Sequence, residues 1–114
     1  TSFRLASEMQ PEGGRSERLV AMINELGATQ YISPMGSAAY LQQDHNVFSE
    51  AGINITFQNY EPQPYRQLHP DFVVGACALD ILFNEGDAAG EIIRAGRRQL
   101  RQFNEVCCKK NDAV

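Results

Sequence analysis

A chain of 114 residues with 43% hydrophobic and 21% charged side chains has the composition of one globular domain, long enough to bury a core. Its formal net charge of −4 leaves it without the basic footprint that a phosphate backbone requires, so no nucleic-acid partner is expected. No apolar run approaches a membrane span, and the N-terminus lacks the charged-then-apolar layout of a signal peptide, which points to a cytoplasmic protein.

Residues 1–14 are polar, carry Pro11 and the Gly13–Gly14 pair, and read as a flexible arm. The opening on Thr1 rather than Met suggests a missing upstream piece. A helix is predicted next, capped by Ser16, striped by Leu19, Val20, Met22, Ile23 and Leu26, and stopped by Gly27. Thr29–Ser33 reads as a short strand, broken by Pro34 and Gly36. Ser37 is placed to cap a second helix that takes in Tyr40, Leu41, Val47 and Phe48 and ends at Ala51–Gly52. Ile53, Ile55 and Phe57 alternate with polar residues, the period of a half-buried strand.

The two prolines of Tyr60–Tyr65 then force an extended segment. Ala76–Phe83 reads as helical, with Leu79, Leu82 and Phe83 on one face, and Gly86 stops it. A long last helix is predicted from Asp87 to Cys107, with Ile92, Ile93, Leu100, Phe103 and Val106 as its stripe and Arg94, Arg97, Arg98 and Arg101 as a basic stretch. The order predicts an α/β fold: a short parallel sheet flanked by helices, a long C-terminal helix, and one domain with its core over 15–107 and a tail over 108–114.

Three constellations carry candidate chemistry. In Tyr31–Ser37 a strand runs through a tight turn into a helix, where free N–H groups and hydroxyls favour an anion; the plain alternative is a serine-capped turn. Gln58–Gln67 gathers amides, tyrosines, Glu61 and Arg66 beyond a strand; Glu61 suits a general base and Arg66 a carboxylate or phosphate, against the alternative of a rigid linker. Asp80 and Asn84, four apart, share a helix face, and Asp80 is either a site acid or an organiser of the fold. His45 and His69 lack metal-ligand spacing, so no metal site is expected, and no motif names a cofactor. Cys77 and the adjacent Cys107 and Cys108 fit no disulfide framework, which favours a reducing compartment.

Taken in order, Tyr31-Ile32-Ser33-Pro34-Met35-Gly36-Ser37, Tyr40-Leu41, Phe48, Ala51-Gly52-Ile53, Phe57-Gln58-Asn59-Tyr60, Tyr65-Arg66-Gln67 and Ala78–Gly86 resemble the carboxyl-terminal half of the WbqC-like family of bacterial proteins. The resemblance covers Arg15 to Ile93. It implies a partial domain whose amino-terminal half, rich in Gln, Pro, Tyr and Trp, is not present; Trp is absent from this chain. By position it implies recurrent polar residues at Ser33, Gly36, Ser37, Tyr40, Gln58, Tyr60, Tyr65, Gln67, Asp80 and Asn84, while Arg66 enters on its chemistry. It further implies a role in O-antigen or other surface-polysaccharide biosynthesis, as a transferase that passes an acyl or aminoacyl group to a sugar. A nucleotide-sugar or glycan substrate would then meet the Ser33–Ser37 turn and the Asn59–Gln67 segment, with Glu61 or Asp80 as acid/base. The fragment alone is expected to be inactive without the other half. The alternative is a non-catalytic scaffold or substrate-binding protein whose arginine stretch meets a partner.

Overall fold

The computed structural model describes residues 1–108, so most of the expected tail, 109–114, lies outside the described residues. Two compact units form. Unit 1 is Thr1–Gln58 with the stretch from Leu100 onward, and unit 2 is Asn59–Gln99. No helix among the described residues is long and apolar enough to cross a membrane.

Unit 1 opens with one 3-10 turn, Ala6–Glu8, followed by the buried Met9. Helix α1 spans Arg15–Glu25 and turns Ile23 into the core, flanked by Leu19 and Val20. Ser16 does not cap it. Gly14 holds the cap position, and Glu17 reaches back to accept the Gly14 N–H at 3.4 Å. Ser16 lies inside the first turn, buried, and donates to Asp44 Oδ2 at 2.6 Å. Gly27 stops the helix as predicted: at φ 65° it directs its N–H to Asn24 O and the Ala28 N–H to Ile23 O, closing a Schellman motif.

Strand β1 is Gln30–Ser33. A 3-10 turn, Met35–Ser37, leads into α2, Ala38–Gln43. Ser37 makes no side-chain cap, because its backbone (φ −87°, ψ −5°) is already helical, whereas a capping residue sits in the extended region. The predicted second helix is two short ones: Asp44 separates α2 from α3, His45–Glu50, and its carboxylate faces Ser16. Strand β2, Asn54–Phe57, follows a second glycine turn at Gly52 (φ 70°).

The sheet has the order β1-β2-β3, with β3 at Arg101–Gln102. β1 and β2 pair in parallel, Gln30 with Asn54 through Ser33 with Phe57, as the intervening helices predict. β3 runs antiparallel to β2, pairing Phe57 with Arg101. β2 is therefore central. Ile55 and Phe57 are buried, but so is Thr56, at 1% exposure, so both faces of the strand are covered rather than one. Phe48 and Leu41 complete the core from α3 and α2, and Tyr31 stacks on Phe48 with ring centroids 5.9 Å apart.

The long C-terminal helix is not formed. Helix α5 covers Ala89–Ala95, β3 follows, and α6 is only Phe103–Cys107. The physical reason lies at Gly96. There the chain leaves the helix and runs beside the Asn59–Glu61 segment: Glu61 N–H donates to Gly96 O at 2.8 Å and Arg98 N–H to Asn59 O at 3.1 Å. Tyr60 and Arg97 form an antiparallel bridge between these two stretches. The arginines consequently do not share one helix face: Arg94 lies in the last turn of α5, Arg97 and Arg98 follow the helix, and Arg101 is in β3.

Unit 2 otherwise consists of the extended segment from Asn59, helix α4 at Ala78–Glu85, a 3-10 turn at Gly86–Ala88, and α5. Asp87 lies in that turn and caps nothing. The buried member of α4 is Ile81; the face predicted to pack is open, with Leu79 at 59%, Leu82 at 50% and Phe83 at 83% exposure.

The Ser16–Asp44 bond ties α1 to the junction of α2 and α3. Ser16→Ala removes the donor to a carboxylate that is partly shielded from water. The expected loss is about 1.5 kcal/mol, read as a lower urea midpoint with an unchanged slope. An unchanged midpoint would mean that water serves Asp44 equally well.

Candidate functional site in unit 2

The expected site residues divide between the units. Ser33, Gly36, Ser37, Tyr40 and Gln58 belong to unit 1; Tyr60, Glu61, Tyr65, Arg66, Gln67, Asp80 and Asn84 belong to unit 2.

In unit 1 the backbone around the turn is largely committed. The Ser37 N–H donates to Pro34 O at 3.1 Å, and the Ala38 N–H to Met35 O. Ser33 has no exposed surface; its hydroxyl lies 3.3 Å from Pro34 O, and its carbonyl accepts the Gln58 N–H at 2.8 Å. Gly36 and Tyr40 are exposed, and Ser37 is half-buried. The Tyr31 hydroxyl neighbours those of Ser33 and Tyr40; burial pushes its pKa up, and the Ser33 bond partly offsets this. Tyr40 also lines a concavity of about 310 Å³ with Arg15 and Leu19.

Unit 2 brings four expected residues into one hydrogen-bonded network. Tyr65 and Gln67 are two apart in an extended segment, so their side chains fall on the same side. Asp80 and Asn84 are one turn apart on α4. Tyr65 Oη donates to Asp80 Oδ2 at 2.5 Å, and Gln67 Nε2 lies 3.2 Å from the same oxygen. Asn84 Nδ2 donates to Asp80 Oδ1 at 3.2 Å and to Asp80 O at 2.8 Å. The Tyr65 phenol is held above its usual pKa, first by its bond to the carboxylate. Gln67 also clamps the following loop: its Oε1 accepts the Val73 N–H at 2.8 Å and its Nε2 faces Val73 O at 3.1 Å. The edge of the Phe72 ring meets Tyr65, with centroids 5.3 Å apart.

Above this network lies a cleft of about 550 Å³, lined in part by Gln67, His69, Asp71, Asp80, Phe83 and Asn84. Polar groups converge on an apolar-walled concavity, the usual composition of a small-molecule site. Of these, Asp71 is not among the residues the sequence singles out, His69 is considered there only as a metal ligand, and Phe83 is expected on a packed face. The Pro70–Asp71 pair is a turn signal that would have drawn attention to the loop.

The two expected acid/base residues differ in how they are held. Both oxygens of Asp80 accept bonds, which fixes the orientation of its carboxylate. Glu61 is gripped at Oε2 alone, by Arg98 Nε at 2.8 Å and Nη2 at 2.7 Å, and its side chain is 68% exposed. Arg66 holds Glu85 through its backbone N–H, at 2.8 Å, while its guanidinium reaches only Asn84 O, at 3.4 Å. Tyr60 lies on the Gly96 crossing, well placed for structure. Among the described residues no three His, Cys, Asp or Glu side chains gather into a metal-binding group. Cys77 and Cys108 are exposed and Cys107 is buried, and burial pushes the Cys107 thiol up.

A family profile described as the WbqC-like protein family matches residues 1–92, and the chain belongs to that family. It is 34% identical over 100 residues to the uncharacterized protein Rv1507c of Mycobacterium tuberculosis, a match covering 85% of this chain and 42% of that relative. The chain thus spans less than half the length of the curated relative it matches. No solved structure gives a significant match.

Proposed function

We propose that the chain is the sugar-binding part of a transferase of bacterial surface-polysaccharide biosynthesis, one that passes an acyl or aminoacyl group to a nucleotide-linked sugar or nascent glycan. Membership of the WbqC-like family supports the pathway, and one observation supports the site: Gln67, Asp80 and Asn84 line one cleft and are pre-set by their mutual bonds. Amides and a carboxylate held in this way suit sugar hydroxyls, which both donate and accept. On this reading Asp80 is the anchor, and Glu61, with Oε1 unengaged among the described residues, is the stronger candidate for moving a proton.

Titration calorimetry with uridine diphosphate glucose tests the site. Asn84→Ala removes a polar group from the cleft floor, and about ten-fold weaker binding is expected. Affinity unchanged in Asn84→Ala and in Arg66→Ala alike would remove the assignment.

A scaffold role is the second reading. The apolar surface of Val73, Val74 and Leu79, each more than half exposed, favours it. Recovery of a pathway protein with the native chain, lost on Leu79→Lys without loss of sugar binding, would select it.

A further inference from the structure

The cleft in unit 2 has a neighbour. A second concavity, of about 420 Å³, is lined by Arg66, Gln67, Leu68, Phe83 and Asn84. The two share Gln67, Leu68, Phe83 and Asn84, so one ligand can lie across both. Leu68 and Phe83 are 84% and 83% exposed, free to cover such a ligand.

Charge is divided between the two. Arg66 lines the second concavity alone, and its guanidinium has no acid partner among the described residues. His69, Asp71 and Asp80 line the first alone. Asp71 makes no hydrogen bond among the described residues, and its φ of 68° is one that Asp and Asn adopt more readily than most residues. Asp80 Oδ1 accepts only from Asn84, which leaves room for a second donor. A bound molecule would therefore meet a guanidinium at one end, carboxylates at the other, and an aromatic ring between.

We infer that unit 2 takes an amino-sugar phosphate, with its phosphate at Arg66, its ring against Phe83 and its ammonium at Asp71 and Asp80. This rests on the sugar-binding reading above and names the class of sugar. A single carboxylate–ammonium pair at a partly exposed site contributes up to about 1 kcal/mol, which is about five-fold in affinity.

Calorimetry at low ionic strength, where such a pair is least screened, compares three ligands on the 114-residue chain. Glucosamine 1-phosphate is expected to bind about five-fold tighter than glucose 1-phosphate, and N-acetylglucosamine 1-phosphate, which lacks the charge, no tighter than glucose 1-phosphate. Asp71→Asn keeps the backbone tolerance and removes the charge. It is expected to reduce the preference for glucosamine 1-phosphate over glucose 1-phosphate, with Asp80 keeping the remainder, whereas Arg66→Ala weakens all three ligands. Equal affinities in the native chain, or a preference undiminished in Asp71→Asn, would overturn the inference. Should glucose 1-phosphate bind, and lose affinity in Asn84→Ala, without any amine preference, the inference falls and the sugar-binding reading stands. Absence of binding by all three overturns both.

Discussion

Gly96→Ala is expected to destabilise the protein by about 2–3 kcal/mol, although alanine is the better helix former. The backbone at Gly96 is ordinary (φ −80°), so conformation is no obstacle. Space is: a Cβ there would lie 2.6 Å from Tyr60 Cζ and 2.7 Å from Glu61 O. A backbone carbonyl cannot swing away as a side-chain end can, and moving it would break the Glu61 N–H to Gly96 O bond of 2.8 Å. The sign is decisive. Had the helix continued through this point, the same substitution would add up to about 1 kcal/mol of stability. Chemical denaturation gives the total, and faster hydrogen exchange at the Glu61 amide localises it. A raised midpoint would sink the crossing of these two segments.

The second large effect is expected at Asp80. Asp80→Ala takes an acceptor from three donors at once: the Tyr65 hydroxyl is left without one, while the Gln67 amide keeps Val73 O and the Asn84 amide keeps the backbone O of residue 80. Hydrogen bonds to a charged acceptor contribute more than neutral ones, but Tyr65 and Gln67 are only half-buried, and water can serve them in part. A loss of about 2–3 kcal/mol follows. Two further signals identify the cause. The Tyr65 phenol should titrate lower than in the native protein, since its largest raising influence is gone. The Val73 amide, held by Gln67 Oε1 at 2.8 Å, should exchange faster once Gln67 is free to turn. A Tyr65 titration that does not move would show that Asp80 is not its proton acceptor. Asp80→Asn should do little better than Asp80→Ala, because an amide nitrogen would then face donors.

Local rules made much of unit 1 legible. The end of α1 needs a left-handed residue, which Gly27 supplies, and the Ile53–Phe57 alternation marks β2; both depend on near neighbours in the chain. The parallel pairing followed because helices separate β1 from β2. The failures share a cause, which is contact across long sequence separations. Ile92, Ile93, Phe103 and Val106 do lie on helices, but nothing near Gly96 in sequence announces that Tyr60 crowds it. Ser16 looks like a cap until Asp44 is placed beside it. At the site, the Asp80–Asn84 spacing and the Tyr65–Gln67 alternation each showed a shared side. Their convergence into one network, and the loop with Asp71 above it, depend on a fold of the extended segment that no periodicity encodes.

The third strand of the sheet has a consequence for synthesis. Phe57 pairs with Arg101 directly before the chain departs for unit 2 and directly after it returns, so the insertion occupies the place of a hairpin turn. On the ribosome, β2 emerges with β1 already available on one side. Its other edge must wait until the whole of Asn59–Gln99 has been translated. During that interval a strand carrying Ile55 and Phe57 offers unpaired backbone to any neighbouring nascent chain, and the rate at which the insertion folds governs how long that exposure lasts.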